Sequence, residues 1–374
     1  MKTNGKINVL QLVEGFGLGG AEKKLKELVE KMDCTKFHTV VCSLGLGDKI
    51  KEEFEKLRDK GVEVIEMPRE RKIDFGLIFK IAKLINEKNI DIVMTTLFYA
   101  DVIGPLAGKL GKAKAVFSWE TISAPWWLYK RRLWAYRFSL RYCKKVVSVS
   151  EATAKWLVEK RGVPEKKVMV IPYGVDIEKY STGSGLEKRK TMGWSADDKV
   201  VGMVGRLVEQ KGHIYLIDAA REVVKKYPQV KFVLVGDGYL RSELEAKVRA
   251  HKLNSNFIFL GFRDDVHELL TTFDIFVLPS LYEGLPNVVL EAMASGLPVV
   301  ATPVDGTKEA VVDGETGILI PERDGDRLAI ELLRLLDNHC LAKKFGKKGR
   351  KRVEDVFSVE KQVKRFEALY ASYV

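Results

Sequence analysis

Two glutamates eight positions apart, Glu283 and Glu291, flank Gly284-Leu285-Pro286-Asn287-Val288-Val289-Leu290. Glu283 precedes a helix start and Glu291 lies about two turns in. Eight residues advance a helix by roughly 12 Å and return close to the same face. Carboxylates accept from paired hydroxyls, so one could hold a sugar hydroxyl and the other a ribose diol. An ordinary capped helix gives the same spacing, and only its context separates the two readings. A second candidate is Gly205-Arg206, followed five positions later by Lys211-Gly212. An arginine fork and a lysine point charge together could neutralise a diphosphate without a metal; alone, they read equally as two solvated surface charges. The third candidate is the glycine-rich run Gly15-Phe16-Gly17-Leu18-Gly19-Gly20-Ala21-Glu22. Glycines let backbone N–H groups approach a phosphate, and a following helix N-terminus favours negative charge. A plain tight turn is the alternative. The run also satisfies the dinucleotide fingerprint, but the next apolar run ends Ser43-Leu44-Gly45 without the ribose-binding carboxylate, which counts against NAD.

Elements that can position these residues are plain in the apolar pattern. Runs rich in Val and Ile at 7–13, 38–44, 62–67, 90–95, 115–119, 145–150 and 167–172 alternate with helical stretches that include 20–32, 48–60, 75–88 and 151–160. The pattern restarts at 200–205, 231–236, 257–262, 275–280 and 298–303. Strands covered on both faces read this way, which predicts two α/β units in series, each with a parallel sheet. Arg206 then falls at the strand edge where such sheets bind ligands. The join is expected within 173–199, and a last helix is expected after a Ser358 cap.

The ordered set GGAE (19–22), VSEA (149–152), IPYGVD (171–176), GRL-x3-KG (205–212), EGLPNVVLEAMASGLPVVAT (283–302) and DGETGILI (313–320) resembles glycosyltransferase family 4. The resemblance spans essentially the whole chain. It implies the GT-B fold, in which two Rossmann-like domains have parallel sheets facing a central cleft: residues 1–175 joined by 358–374 as the acceptor domain, and 176–357 as the donor domain. It implies a metal-independent, retaining hexosyltransferase with no cofactor, moving a hexosyl or N-acetylhexosaminyl group from a UDP- or GDP-sugar to an acceptor hydroxyl. Gly19 and Gly20 would approach the donor phosphates, and Arg206 and Lys211 would clamp them. Glu283, Gly284, Leu285 and Pro286 would hold the transferred sugar, Glu291 the ribose, and Arg263 would line the base pocket. Arg206, Lys211 and Glu283 form the expected catalytic set. Two departures stand out. Where many members carry a histidine, the chain reads Phe117-Ser118-Trp119-Glu120-Thr121, so Trp119 or Glu120 is expected on the acceptor side. Asp305-Gly306 stands where a glycine pair is usual. His213 is expected to be structural.

Charge adds a partner class. Of the net +12, nearly all lies in residues 1–180, which suggests that the first half meets something anionic. Segment 124–145 holds seven Lys or Arg and no acid. Leu133, Tyr136 and Leu140 form an apolar stripe beside Lys130, Arg137, Arg141 and Lys144, with Trp126 and Trp127 just before. Aromatic rings beside cations suit an anionic membrane surface, and a core-packed helix with a basic edge is the alternative. No recognised module points to nucleic acid. No apolar run reaches membrane-spanning length and the N-terminus lacks a signal-peptide pattern. Four cysteines without paired spacing read as reduced thiols. The expectation is therefore a cytoplasmic enzyme, peripheral on the inner membrane face, acting on a lipid-linked or cell-envelope glycan. The rival readings are a phosphorylase or epimerase of similar fold, an NAD-dependent oxidoreductase, and a catalytically idle membrane partner.

Overall fold

In the computed structural model the described residues are 5–15, 17, 19–45, 54–70, 74–180, 183 and 185–374; at Trp126 the description covers the backbone alone. The chain divides into two compact units, Met1–Tyr173 with Val359–Val374, and Gly174–Ser358.

The first unit is built on seven parallel strands: β1 (Ile7–Val13), β2 (Phe37–Ser43), β3 (Glu63–Glu66), β4 (Ile92–Thr96), β5 (Ala115–Glu120), β6 (Lys145–Ser148) and β7 (Val168–Val170). Their order is β3-β2-β1-β4-β5-β6-β7. The central strands are buried along almost their whole length because helices cover both faces, which is why they read as mainly apolar runs. Helix Phe98–Leu110 lies tightly on the sheet: a Cβ at Gly104 would meet the side chains of Thr95 and Leu12. The last helix, Val359–Ala371, packs on this unit rather than on the one preceding it in sequence. Its Tyr370 hydroxyl accepts from Gln11 Nε2 at 3.0 Å, and its Phe366 ring meets Trp119 at 4.9 Å.

The second unit repeats the plan with six parallel strands: β8 (Val200–Val204), β9 (Lys231–Val235), β10 (Phe257–Gly261), β11 (Ile275–Leu278), β12 (Val299–Ala301) and β13 (Ile318–Leu319). The order is β10-β9-β8-β11-β12-β13. In each unit the winding reverses once, between β1 and β4 and between β8 and β11. Loops leaving the carboxyl ends of strands on either side of a reversal diverge and leave a crevice.

All twelve expected strands are present, within about two residues at each end. Two-residue β13 was not anticipated. Of the expected helix 48–60, residues 48–53 lie outside the described residues, and Lys56–Lys60 is a 3-10 turn. Among the described residues no helix is long and apolar enough to cross a membrane.

Candidate active site

Two loops of the second unit meet at its sheet's reversal. The loop after β8 carries Arg206 and Lys211 and ends at Gly212, whose φ of 70 lets the chain turn into helix His213–Lys226. A Cβ there would collide with the carbonyl oxygen of Pro279. That close approach clasps the loop to the one following β11. Gln210 Nε2 donates to Tyr282 O at 2.8 Å, and Leu281 N donates to Gln210 O at 2.8 Å. Lys211 Nζ consequently lies 2.5 Å from Glu283 Oε1, and Ser280 Oγ donates to the same oxygen at 2.7 Å. The Glu283 carboxylate is almost fully enclosed, at 5 % exposure, and a buried carboxylate needs such partners. The Arg206 side chain is exposed and has no hydrogen-bond or ion-pair partner among the described residues. The loops thus offer one uncommitted guanidinium beside a neutral lysine–glutamate pair.

A third loop completes the arrangement. Asp305 Oδ2 accepts from Glu283 N at 2.7 Å, and Gly306 N donates to Gly284 O at 2.8 Å. Asp305 sits at φ 43, a left-handed conformation that Asp tolerates better than most side chains. Burial pushes its carboxyl up to about 6, with the Glu283 charge adding to the shift and the Glu283 N–H opposing it. His213 is pushed down to about 3, first by burial and then by Lys211, so it is neutral and serves as part of the packed helix start. Ser280 was not singled out from sequence, although its spacing to Glu283 is the i, i+3 spacing of a capping pair.

The expected helical register of the two glutamates needs correction. Helix Asn287–Ala294 begins four residues after Glu283, with Pro286 at its cap, so Glu283 belongs to the loop and Glu291 stands one turn into the helix. Glu291 is half-buried, Leu285 is buried, and Gly284 is tied to Gly306. Arg263 does not stand free for a base: its Nε and Nη2 grip Asp265 at 2.7 and 2.6 Å, and Lys188 shares that carboxylate at 2.5 Å. The Arg263 fork, first among its partners, holds Asp265 far below the usual carboxylate range.

In the first unit, Gly19 caps helix Gly20–Lys31. Phe16 and Leu18 of its loop lie outside the described residues. The Glu22 carboxylate folds over Gly17 and Gly19, where any Cβ would meet its oxygens. An acid in the first turn complements the helix end, so the cradle expected for a phosphate holds a side-chain carboxylate here.

Trp119 and Glu120 do not face an acceptor. The Trp119 ring is wholly buried between Phe366 and Tyr173. Glu120 Oε2 lies 2.7 Å from Nη1 of Arg161, and both side chains are enclosed. The Arg161 guanidinium sits over the rings of Tyr136 (3.5 Å) and Trp127 (4.7 Å). Nearby Asp101 accepts from Thr95 Oγ1 at 2.5 Å and from Ser118 Oγ at 2.8 Å. Burial, then the Glu120 charge, pushes Asp101 far above the carboxylate range, so one cation balances one anion and Asp101 stays neutral. Trp127, expected at a membrane, is instead buried beneath Arg161, and the Trp126 side chain lies outside the described residues. Lys130, Arg137, Arg141 and Lys144 are exposed, with Arg137 Nε donating to Arg161 O at 2.7 Å.

Known proteins share this plan. A family model described as Glycosyltransferase Family 4 matches residues 18–179, and one described as Glycosyl transferases group 1 matches residues 186–352. The chain belongs to glycosyltransferase family 4. Among its relatives within the curated proteins, the UDP-Gal:alpha-D-GlcNAc-diphosphoundecaprenol alpha-1,3-galactosyltransferase of Escherichia coli is 29% identical over 314 residues, 80% of each chain. The capsular polysaccharide biosynthesis glycosyltransferase CapM of Staphylococcus aureus is 28% identical over 61% of this chain and 62% of its own. The crystal structure of Anabaena HepE in complex with UDP and glucose superposes with a TM-score of 0.87 at 24% identity, covering 98% of this chain and 100% of that one. At that identity the likeness establishes the fold, and the fold is GT-B. This family 4 chain is a glycosyltransferase.

Proposed function

We propose that this family 4 enzyme transfers a hexosyl or N-acetylhexosaminyl group, with retention, from a UDP- or GDP-sugar to a hydroxyl of a lipid-linked or cell-envelope glycan. The observation that carries the reading is the pair of clasped loops at the β8/β11 reversal, with Arg206 uncommitted and Lys211 set against Glu283. Arg206, and Lys211 once Glu283 turns to the sugar, offset the diphosphate, so the reaction runs without a metal or cofactor. The relatives supply the substrate classes: the Escherichia coli enzyme is named for a galactosyl donor and an undecaprenol-linked acceptor, and the Anabaena structure contains UDP and glucose.

In this mechanism the bond between the anomeric carbon and the phosphate oxygen breaks, and its electron pair stays on the leaving diphosphate. The acceptor oxygen bonds to the same face of the sugar, and its proton passes to that phosphate oxygen. Arg206 and Lys211 meet the developing negative charge. Glu283, with the backbone of Gly284, Leu285 and Pro286, orients the sugar, while Glu291 takes the ribose hydroxyls. The enzyme works in the cytoplasm, peripheral on an anionic membrane that carries its acceptor.

Thermal denaturation with UDP, GDP, ADP and their sugars tests the donor site directly. A nucleotide at a hundred times its Kd stabilises the fold by about 2.7 kcal/mol. A uridine or guanosine diphosphate is expected to raise the midpoint and ADP to leave it unmoved. Indifference to every nucleotide refutes the donor site. Transfer in EDTA should equal transfer without it, and the product should keep the donor's anomeric configuration.

Asp305 sets a pH dependence. Its folded-state carboxyl is raised from 3.8 to about 6, so its stabilising contribution is complete below about 3.8 and is lost as pH rises through 6. Ionised, it also repels a diphosphate. Affinity for a UDP-sugar, whose phosphates do not titrate there, should fall as pH rises from 5 to 7. Asp305→Asn keeps the acceptor for Glu283 N and should flatten that profile in calorimetry; an unchanged slope removes Asp305 from the effect.

A further inference from the structure

Large apolar side chains are exposed together on one face of the first unit. Trp134 is 71% exposed and stacks on Phe138 at 5.8 Å, and Phe138 meets Tyr142 edge-on at 6.3 Å. Tyr142 in turn helps line a groove of about 250 Å³ together with Phe75, Phe79 and Leu110. Phe75 and Phe79 are 69% and 68% exposed, and Leu110 is 51% exposed. The ridge and the groove form one continuous surface across helices Phe75–Glu87, Phe98–Leu110 and Lys130–Ser139 and the turn Leu140–Tyr142. An apolar surface of this kind on a water-facing protein marks an interaction site.

Charge selects the occupant. Lys109, Lys112, Lys130, Arg131, Arg141 and Lys144 are exposed on the same elements or directly beside them, and none pairs with an acid among the described residues. Helix Lys130–Ser139 holds no acid, Asp101 is buried, and Glu87 is matched by Lys83 at 3.6 Å. A second copy of the chain meeting this face would bring cation against cation. An anionic bilayer offers acyl carbon to the rings and the groove, and phosphate to the lysines and arginines.

We infer that this surface, the Trp134–Phe138–Tyr142 ridge with the Phe75/Phe79/Leu110 groove, docks the enzyme on an anionic membrane. It deepens the membrane partner proposed above and places it on residues other than Trp126 and Trp127. The outward stripe at i, i+4 and i+8 lies opposite the Tyr136 and Leu140 side chains, which are buried against the core.

Co-sedimentation of the full chain with phosphatidylcholine vesicles, with and without phosphatidylglycerol, tests the inference. Binding should be at least tenfold tighter with phosphatidylglycerol and should weaken as salt rises. Trp134→Ser combined with Phe138→Ser should loosen it tenfold or more, with an unchanged thermal midpoint and an unchanged nucleotide-induced shift. Arg131→Gln combined with Arg141→Gln, which leaves the apolar ridge intact, should loosen binding to the anionic vesicles only. Equal binding to both vesicle types overturns the inference, as does wild-type binding by both double variants. Dimers in sedimentation velocity that the Trp134/Phe138 variant dissociates also overturn it. Because nucleotide binding is read separately, losing the vesicle result leaves the donor site standing, and the reverse holds equally.

Discussion

Arg206→Ala lowers kcat by roughly 10²–10³-fold, the range found when one preorganised donor is withdrawn from a developing negative charge. Lys211→Ala falls in the same range, but the two variants part in their stability. The Arg206 side chain is exposed and has no partner among the described residues, so its loss should leave the unfolding free energy within about 0.5 kcal/mol of wild type. Removing Lys211 strands the enclosed carboxylate of Glu283 with only the Ser280 hydroxyl and should lower the thermal midpoint as well. Steady-state sugar transfer paired with thermal unfolding separates the two. Wild-type turnover in Arg206→Ala would remove Arg206 from the reaction.

The largest loss of stability is expected in the first unit. Arg161→Ala leaves Glu120 buried and charged without its counter-ion, and takes the guanidinium from between Tyr136 and Trp127. Breaking a buried pair from one side costs about 3–5 kcal/mol. Replacing both members, Glu120→Gln with Arg161→Met, should recover most of it, because no unpaired charge remains. Urea unfolding of the two variants makes the comparison. If Arg161→Ala unfolds at the wild-type midpoint, the pair is not what holds this corner together.

The fold was legible because both sheets are covered on both faces. Val and Ile then crowd strands such as β1 and β8, and runs such as 7–13 and 200–205 need no partner strand to be recognised. β13 escaped because two residues, Ile318 and Leu319, carry no period of their own. At the donor site the side chains were legible and their setting was not. Glu283 and Lys211 are separated by 72 positions, and nothing local says that Gly212 lets one loop press against Pro279 and join them. The Glu283–Glu291 register failed for a simpler reason: the helix begins at Asn287, so only half of that spacing is helical.

The membrane segment shows the same limit from the other side. Trp127 and Trp134 are equally apolar on paper, and it takes Arg161, arriving from a later helix end, together with the Phe98 ring to cover Trp127. The outward stripe of Trp134, Phe138 and Tyr142 was present in the spacing all along. It was masked by the stronger inward stripe of Leu133, Tyr136 and Leu140, whose last two members pack into the core.

The helix Val359–Ala371 carries a consequence for folding. Its Tyr370 hydrogen-bonds to Gln11 of the first strand. Residues 174–358 begin and end side by side, with Val175 N donating to Phe357 O at 2.8 Å, so they stand as an insertion between the rest of the first unit and its closing helix. Completing the first unit therefore requires closing that long loop, a slow, long-range step, and its sheet stays open beside Phe117 and Trp119 until the helix arrives.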